Sequence, residues 1–427
     1  MGPHGPIRGL AGWIRHRIIA NYWSLPMAAV LSAVVAGLVA LELDRDGAAA
    51  WLLERDLSPV VTADTAKDWA AVVAGIDTAL LTLYFSISLL VLTLAASNLA
   101  VRLIDRWLEK PLVRVSLSGL SFSVIYALVV LAAIDSEAEL ADTPLLALWG
   151  LFALQVVNLA MLAVALHDLG RTMFVDRSIA QIGKDAGTPP VPLTGMAEAG
   201  DNWAETLRAP RSGYVEGIGL DRLMNELAAH PGRVRFCAAP GQHVMEGEPL
   251  VLFERQGAAL DRVADCIPIG SYRSNAEGAV FQIRLLVEIA ARALSPAIND
   301  FYTAIACVDR LGEAMVRQQE SWVEDGEVPA FAPAPRFELP GQDFRHLFDD
   351  PLKALRQAAA DYPSVSIRLV NNYARVCAQA GSAPGLCTFL QGHARDLASH
   401  AAGRAQFAKD REAIERSMDD FGKTSAA

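Results

Sequence analysis

One apolar stretch carries an ionisable group where none is expected. Residues 70 to 98, "AAVVAGIDTALLTLYFSISLLVLTLAASN", hold Asp77. Thr78, Thr82 and Ser86 recur every fourth position, and Thr93 and Ser97 continue that face after one missed step at Leu90. At 3.6 residues per turn these hydroxyls project to one side of a helix. Two kinds of chemistry suit them. Small polar side chains pack helices together and bond back to backbone carbonyls, their commoner use. The same face could instead line a path for an ion or small solute, with Asp77 near its outer mouth, since an ionisable group inside a span is a functional candidate.

A second constellation is "ALSPAIND", residues 293 to 300. It breaks two apolar helical runs and leaves Ser295, Asn299 and Asp300 at the break. Pro296 disfavours helical geometry at Ser295 and supplies no helix N–H. Ser295 can cap a turn, and Asn299 or Asp300 can cap the helix that follows. Capping leaves one carboxamide or carboxylate over, so the corner is also a candidate ligand site, with Asp300 as acid, base or cation ligand. Just before it, Arg284, Glu288 and Arg292 fall at i, i+4 and i+8, a ladder of alternating charge that reads as structural ion pairing rather than a phosphate site. Asn371, Asn372, His393 and His400 read most simply as surface or capping residues. Two histidines without a third ligand do not make a metal site. We find no H-E-x-x-H, phosphate loop or G-x-S-x-G, and no catalytic residue, metal or cofactor is expected.

The elements that position these residues follow from composition. The chain has 427 residues, 52% hydrophobic and 20% charged, below the roughly 25% charge of soluble domains. Four segments meet the length rule for a spanning helix: about Ser24–Leu41, Ala70–Ala96, Val115–Ile134 and Leu145–Leu166. Trp23, Trp69 and Trp149 sit near their ends, as interfacial aromatics do. Arg8, Arg15 and Arg17 precede the first span, and Arg102, Arg106, Lys110 and Arg114 lie between the second and third. The acidic "DSEAELADTP" follows the third. The positive-inside rule then puts both termini in the cytoplasm of a bacterial inner membrane. All five cysteines (Cys237, Cys266, Cys307, Cys377, Cys387) fall on that side, without a C-x-x-C pair, as unpaired thiols in a reducing compartment would. The net charge of −11 argues against nucleic acid as a partner.

These readings divide the chain into a basic N-terminus (1–21), a four-span domain (22–170), a linker (171–210), a small β domain (211–270) and a helical domain (271–427). The run "PGQHVMEGEPLVLFE" resembles the hammerhead turn of biotinyl/lipoyl-type hybrid barrels, which implies a small β barrel. No lysine occurs between Lys184 and Lys353, so a carrier role is excluded. Gly241 and Gly247 mark its turns, and Pro351 interrupts one of the later helical runs. The expected fold is mainly α: four spans, then an α+β region of a barrel-like piece and a helical bundle.

The whole order, from "WSLPM" through "RALSPAINDFYTAIACVDRL" to about residue 380, resembles the bacterial predicted membrane proteins grouped as domain of unknown function 2254. Members usually carry Pro after the Asn-Asp, where this chain has Phe301. The resemblance implies topology and no particular activity. Three functions suit the residues. The first is an oligomeric, channel-like or transport-related assembly with a cytoplasmic sensing domain, open to a small ligand or a protein partner. The second is a non-conducting scaffold that presents its cytoplasmic domain to a partner. The third is a membrane enzyme centred on Asp300.

Overall fold

The computed structural model describes residues 23–98, 111–172, 175–188, 191–273, 277–380 and 383–424. The basic N-terminus and the side chains of Arg102, Arg106, Lys110 and Arg171 lie outside the described residues, as does the side chain of Ser97. The chain folds as two compact units: the described parts of Ile7–Ser97 and Val101–Phe174, and those of Val175–Ala427.

Among its described residues the first unit contains four helices long and apolar enough to cross a membrane. Helix α1 (Ser24–Leu43) buries Ala33, Gly37 and Leu41, one face at i, i+4 and i+8. It packs chiefly on the helix Pro111–Ala133, and a Cβ on Gly37 would fall 2.7 Å from Val129 Cγ1, so glycine lets the two backbones approach. The chain then makes a wide turn (Asp44–Ala48) with Gly47 at φ +115°, and α2 (Ala49–Glu54) follows. Helix α3 spans Ala63–Asn98, its first turn capped by Thr62 Oγ1, which accepts from Thr65 N at 3.1 Å. Helices α4 (Pro111–Ala133) and α5 (Leu145–Thr172) complete the set. The start of α5 is held from a distance: the buried Asp44 carboxylate accepts from Leu146 N at 2.8 Å and Ala147 N at 3.0 Å. It satisfies two N-terminal donors that would otherwise sit unpaired in an apolar setting.

The second unit opens with α6 (Val175–Ala186) and strand β1 (Leu193–Ala197). There follow β2 (Glu205–Arg208), β3 (Gly213–Val215), α7 (Leu220–Glu226), β4 (Val234–Phe236), β5 (His243–Val244), β6 (Pro249–Phe253), α8 (Leu260–Ala264) and β7 (Ile269–Gly270). Helices α9 (Ala279–Ala293) and α10 (Phe301–Gln318), strands β8 (Glu327–Phe331) and β9 (Phe337–Glu338), and helices α11 (Phe344–Ala359), α12 (Pro363–Gln379), α13 (Pro384–Arg404) and α14 (Ala408–Thr424) complete it. Residues 175–186 and two strands thus occupy most of the stretch read as a linker. Gly241 and Gly247 do turn the chain, at φ +79° and +84°. Pro351 lies inside the continuous helix α11.

The expected small barrel is not formed. One six-stranded sheet runs β1-β8-β9-β4-β6-β2, and a separate three-stranded sheet runs β5-β3-β7, so neither closes on itself. The local strand pattern was sound, but β4 finds its second partner about a hundred residues away, pairing Val234 with Phe337 in parallel. That pairing and the β1–β8 ladder extend the sheet outward instead of round. The fold is therefore mainly helical, four spans followed by an open-sheet α+β unit. Its sheets bury Val215, Val234, Phe236, Val251, Phe253 and Phe337 in one core. Against the helical side, α6 packs on α9 and α10, where buried Gln318 donates to Ala186 O at 2.9 Å and Thr188 O at 3.0 Å and closes the end of α6.

Candidate functional site

Along three spans a polar residue falls between two apolar layers. One layer gathers Ala66, Ala70, Val73 and Ala74 of α3, Tyr126 and Val130 of α4, and Leu145, Leu148 and Leu151 of α5. The other gathers Tyr84, Leu120, Leu162 and Ala165. Between them in each helix lie Asp77, Ser123 and Asn158, exposed by 0%, 0% and 1%. Ser123 Oγ donates to Asp77 Oδ2, joining α3 to α4. Asn158 lies beside Gly119, one turn from Ser123: a Cβ there would sit 3.2 Å from the amide oxygen, Asn158 Oδ1. Asp77 Oδ1, Ser88 Oγ, Gln155 Oε1 and Asn158 Nδ2 are buried and have no hydrogen-bond partner. Asp77 lies about two helical turns, or roughly 12 Å, along α3 from Trp69.

The structure separates Asp77 from the hydroxyl face that follows it. Asp77 continues the buried stripe of Ala66, Ala70 and Val73, whereas Thr78, Thr82, Ser86 and Thr93 all face outward from the unit. Thr78 Oγ1 donates to Ala74 O at 2.8 Å, Thr82 to Thr78 O at 2.9 Å and Thr93 to Leu89 O at 2.8 Å. The hydroxyls of Thr78, Thr82 and Thr93 are satisfied by their own helix, as suits a face that meets lipid or another protein surface.

At the corner, Asp300 is the N-cap of α10. Its Oδ1 accepts from Thr303 N at 3.1 Å and its Oδ2 from Thr303 Oγ1 at 2.6 Å, which engages both carboxylate oxygens. Ser295 closes the turn over Pro296, its carbonyl accepting from Asn299 N at 2.9 Å, and Tyr362 Oη pins Leu294 O at 2.8 Å. Asn299 is the group left over: exposed, and in the left-handed region at φ +51°, which Asn tolerates. Replacing Asp300 with Ala should cost about 1 kcal/mol of stability, and with Asn much less. Thermal unfolding of the two variants checks this. An Asp300→Asn protein that folds normally yet loses every function in cells would instead make the carboxylate a ligand.

Arg284, Glu288 and Arg292 are half-buried and each has a polar partner; Arg284 Nη1 donates to Gly241 O at 2.9 Å. Asn372 and His393, read as surface residues, are buried. Asn372 Nδ2 donates to Asp309 Oδ1 at 3.0 Å. Burial alone would raise Asp309, but the paired bonds from Arg368 at 2.7 Å and the Asn372 bond more than offset it and hold the carboxyl low. His393 Nε2 lies 3.2 Å from Asp349, and burial pushes the imidazole down against that carboxylate's pull.

Sequence reading missed Ser123, Asn158 and Asp44. Ser123 was hidden among the serines of "SLSGLSFSV", and Asn158 was a single amide in an apolar run. An in-register search for polar residues on all spans would have found both.

Residues 20–375 match the family model described as "Predicted membrane protein (DUF2254)". The chain belongs to this family. Similar proteins include "Uncharacterized protein Mb1321c" of Mycobacterium bovis and "Uncharacterized protein Rv1290c" of Mycobacterium tuberculosis, each 28% identical over 246 residues, or 53% of this chain. The match spans 47% of each relative, so this DUF2254 chain aligns with about half of their length. No solved structure matches it. As a member, it is a multi-pass membrane protein with a folded α+β unit.

Proposed function

We propose that this protein is an oligomeric membrane assembly that moves protons across the bacterial inner membrane, with Asp77 as the group that takes up and releases them. The observation that carries this is the Asp77 carboxyl, fully buried at depth in the spans with one oxygen held by Ser123 and the other unpartnered. A buried carboxylate without a countercharge costs several kcal/mol, and a proton is the smallest charge that removes the cost. Hard metal ions ask for six or more oxygens, and no group of three acidic, histidine or cysteine ligands that could hold one occurs among the described residues. Buried Ser88 and Asn158 and half-buried Gln155 supply further unpaired polar atoms on the spans. The outward Thr78–Thr82–Ser86 face supports contact between copies, and the α+β unit, with its capped corner, is the regulatory part.

Flux into proteoliposomes tests the reading, with protons, alkali cations and a neutral osmolyte as separate probes. At equal oligomeric state, the Thr82→Leu/Ser86→Leu protein should keep its proton flux, because those residues face away from Asp77. If that variant blocks flux while Asp77→Asn does not, the path runs between copies and this assignment of Asp77 fails. A scaffold reading draws on exposed Ile298, Phe301 and Tyr302 at the corner, and absence of flux for every probe would favour it.

A further inference from the structure

The five cysteines carry no spacing signature, yet the helical side of the α+β unit brings two of them together. Helices α12 and α13 form a hairpin joined by residues 380–383. Cys377 lies in the last turn of α12 and Cys387 in the first turn of α13, nearly symmetric about the connection. The two helices pack along each other, which sets the two side chains close enough to interact across the hairpin. Both are free and half-buried, whereas Cys266 and Cys307 are buried and Cys237 is exposed. A half-buried pair on one hairpin is within reach of a small oxidant.

We infer that Cys377 and Cys387 form a reversible dithiol–disulfide site whose co-substrate is a low-molecular-weight disulfide. One thiolate, that of Cys387, attacks a sulfur of the small disulfide, forming a mixed disulfide and expelling one small thiol. Cys377 then gives up its proton and attacks the Cys387 sulfur, forming the intramolecular bond and expelling the second small thiol. The two cysteines are oxidised by two electrons, and the small disulfide is reduced to two thiols. Burial, with the Cys387 thiol beside it, pushes the Cys377 thiol up. The bond closes the α12–α13 hairpin. His393 and Phe389 lie in α13, in contact at 4.7 Å between ring centroids. Oxidation would therefore stiffen the element that carries this cluster.

The test uses the full chain in detergent, equilibrated with reduced and oxidised glutathione over a range of ratios, acid-quenched and alkylated. Trypsin releases both thiols on one peptide, Val376–Arg395. The expected product is that peptide lighter by two hydrogens and unalkylated, appearing as one transition, while exposed Cys237 takes up glutathione as a mixed disulfide. Oxidised protein should melt roughly 5 °C higher than reduced protein, and Cys387→Ser should abolish the difference. Independent alkylation or glutathionylation of the two positions at every ratio would overturn the site. So would a melting shift that survives in Cys387→Ser.

Discussion

Replacing Glu338 with Ala is expected to destabilise the α+β unit by about 3 kcal/mol, a large loss for one surface-adjacent side chain. Glu338 is 6% exposed on the short strand β9 and faces two arginines of and next to β4. Its Oε1 accepts from Arg233 Nη1 at 3.0 Å and its Oε2 from Arg235 Nε at 2.5 Å. Both guanidinium groups also lie against the Trp203 ring, at 4.9 and 5.1 Å from its centroid. Without the carboxylate, two like charges would share a mostly desolvated site, and breaking a buried pair from one side costs more than the pair contributes. The loss falls on the parallel β4–β9 contact that joins the two ends of the large sheet. Amide exchange across Val234–Phe236 should quicken by about a hundredfold, each 1.4 kcal/mol being tenfold. A change under about 1 kcal/mol would show that Asp201 and Glu254, which also approach these arginines, suffice.

Asp77→Asn is expected to abolish proton flux while leaving the fold in place. The carboxamide has the shape of the carboxylic acid and can still accept from Ser123. It cannot exchange a proton with its neighbours, which is the step assigned to Asp77. Melting of the variant should stay within a few degrees of the parent, or rise, because the residue would no longer face the cost of a buried charge. A large fall in stability together with lost flux would mark Asp77 as a packing residue held by its bond to Ser123.

The sequence made the spans legible because hydrocarbon imposes one rule on every helix: about twenty apolar residues and internally satisfied backbone. All four appear where hydropathy placed them. That Asn299 or Asp300 could cap the helix after the break was also readable, since Ser-Pro and Asn-Asp have local conformational consequences, and the cap is Asp300. The barrel was not, because hammerhead-like spacing is local while the partners of β4 and β8 are remote in sequence. In the second span the periodicity of Thr78, Thr82 and Ser86 drew attention to one face, but periodicity does not say which face is buried. Asp77 lies on the other face, and its partner Ser123 comes from a different helix. The Cys377–Cys387 pair escaped for the same reason: a helical hairpin, not a short motif, brings the thiols together.

The most direct measurement is proton entry into proteoliposomes under a potassium-diffusion potential, read with an entrapped pH-sensitive dye, for the parent and Asp77→Asn side by side. The account predicts acidification by the parent that follows the potential, and a trace indistinguishable from empty liposomes for the variant. Equal acidification by both proteins would contradict it, because a path that does not need the Asp77 carboxyl does not run through it.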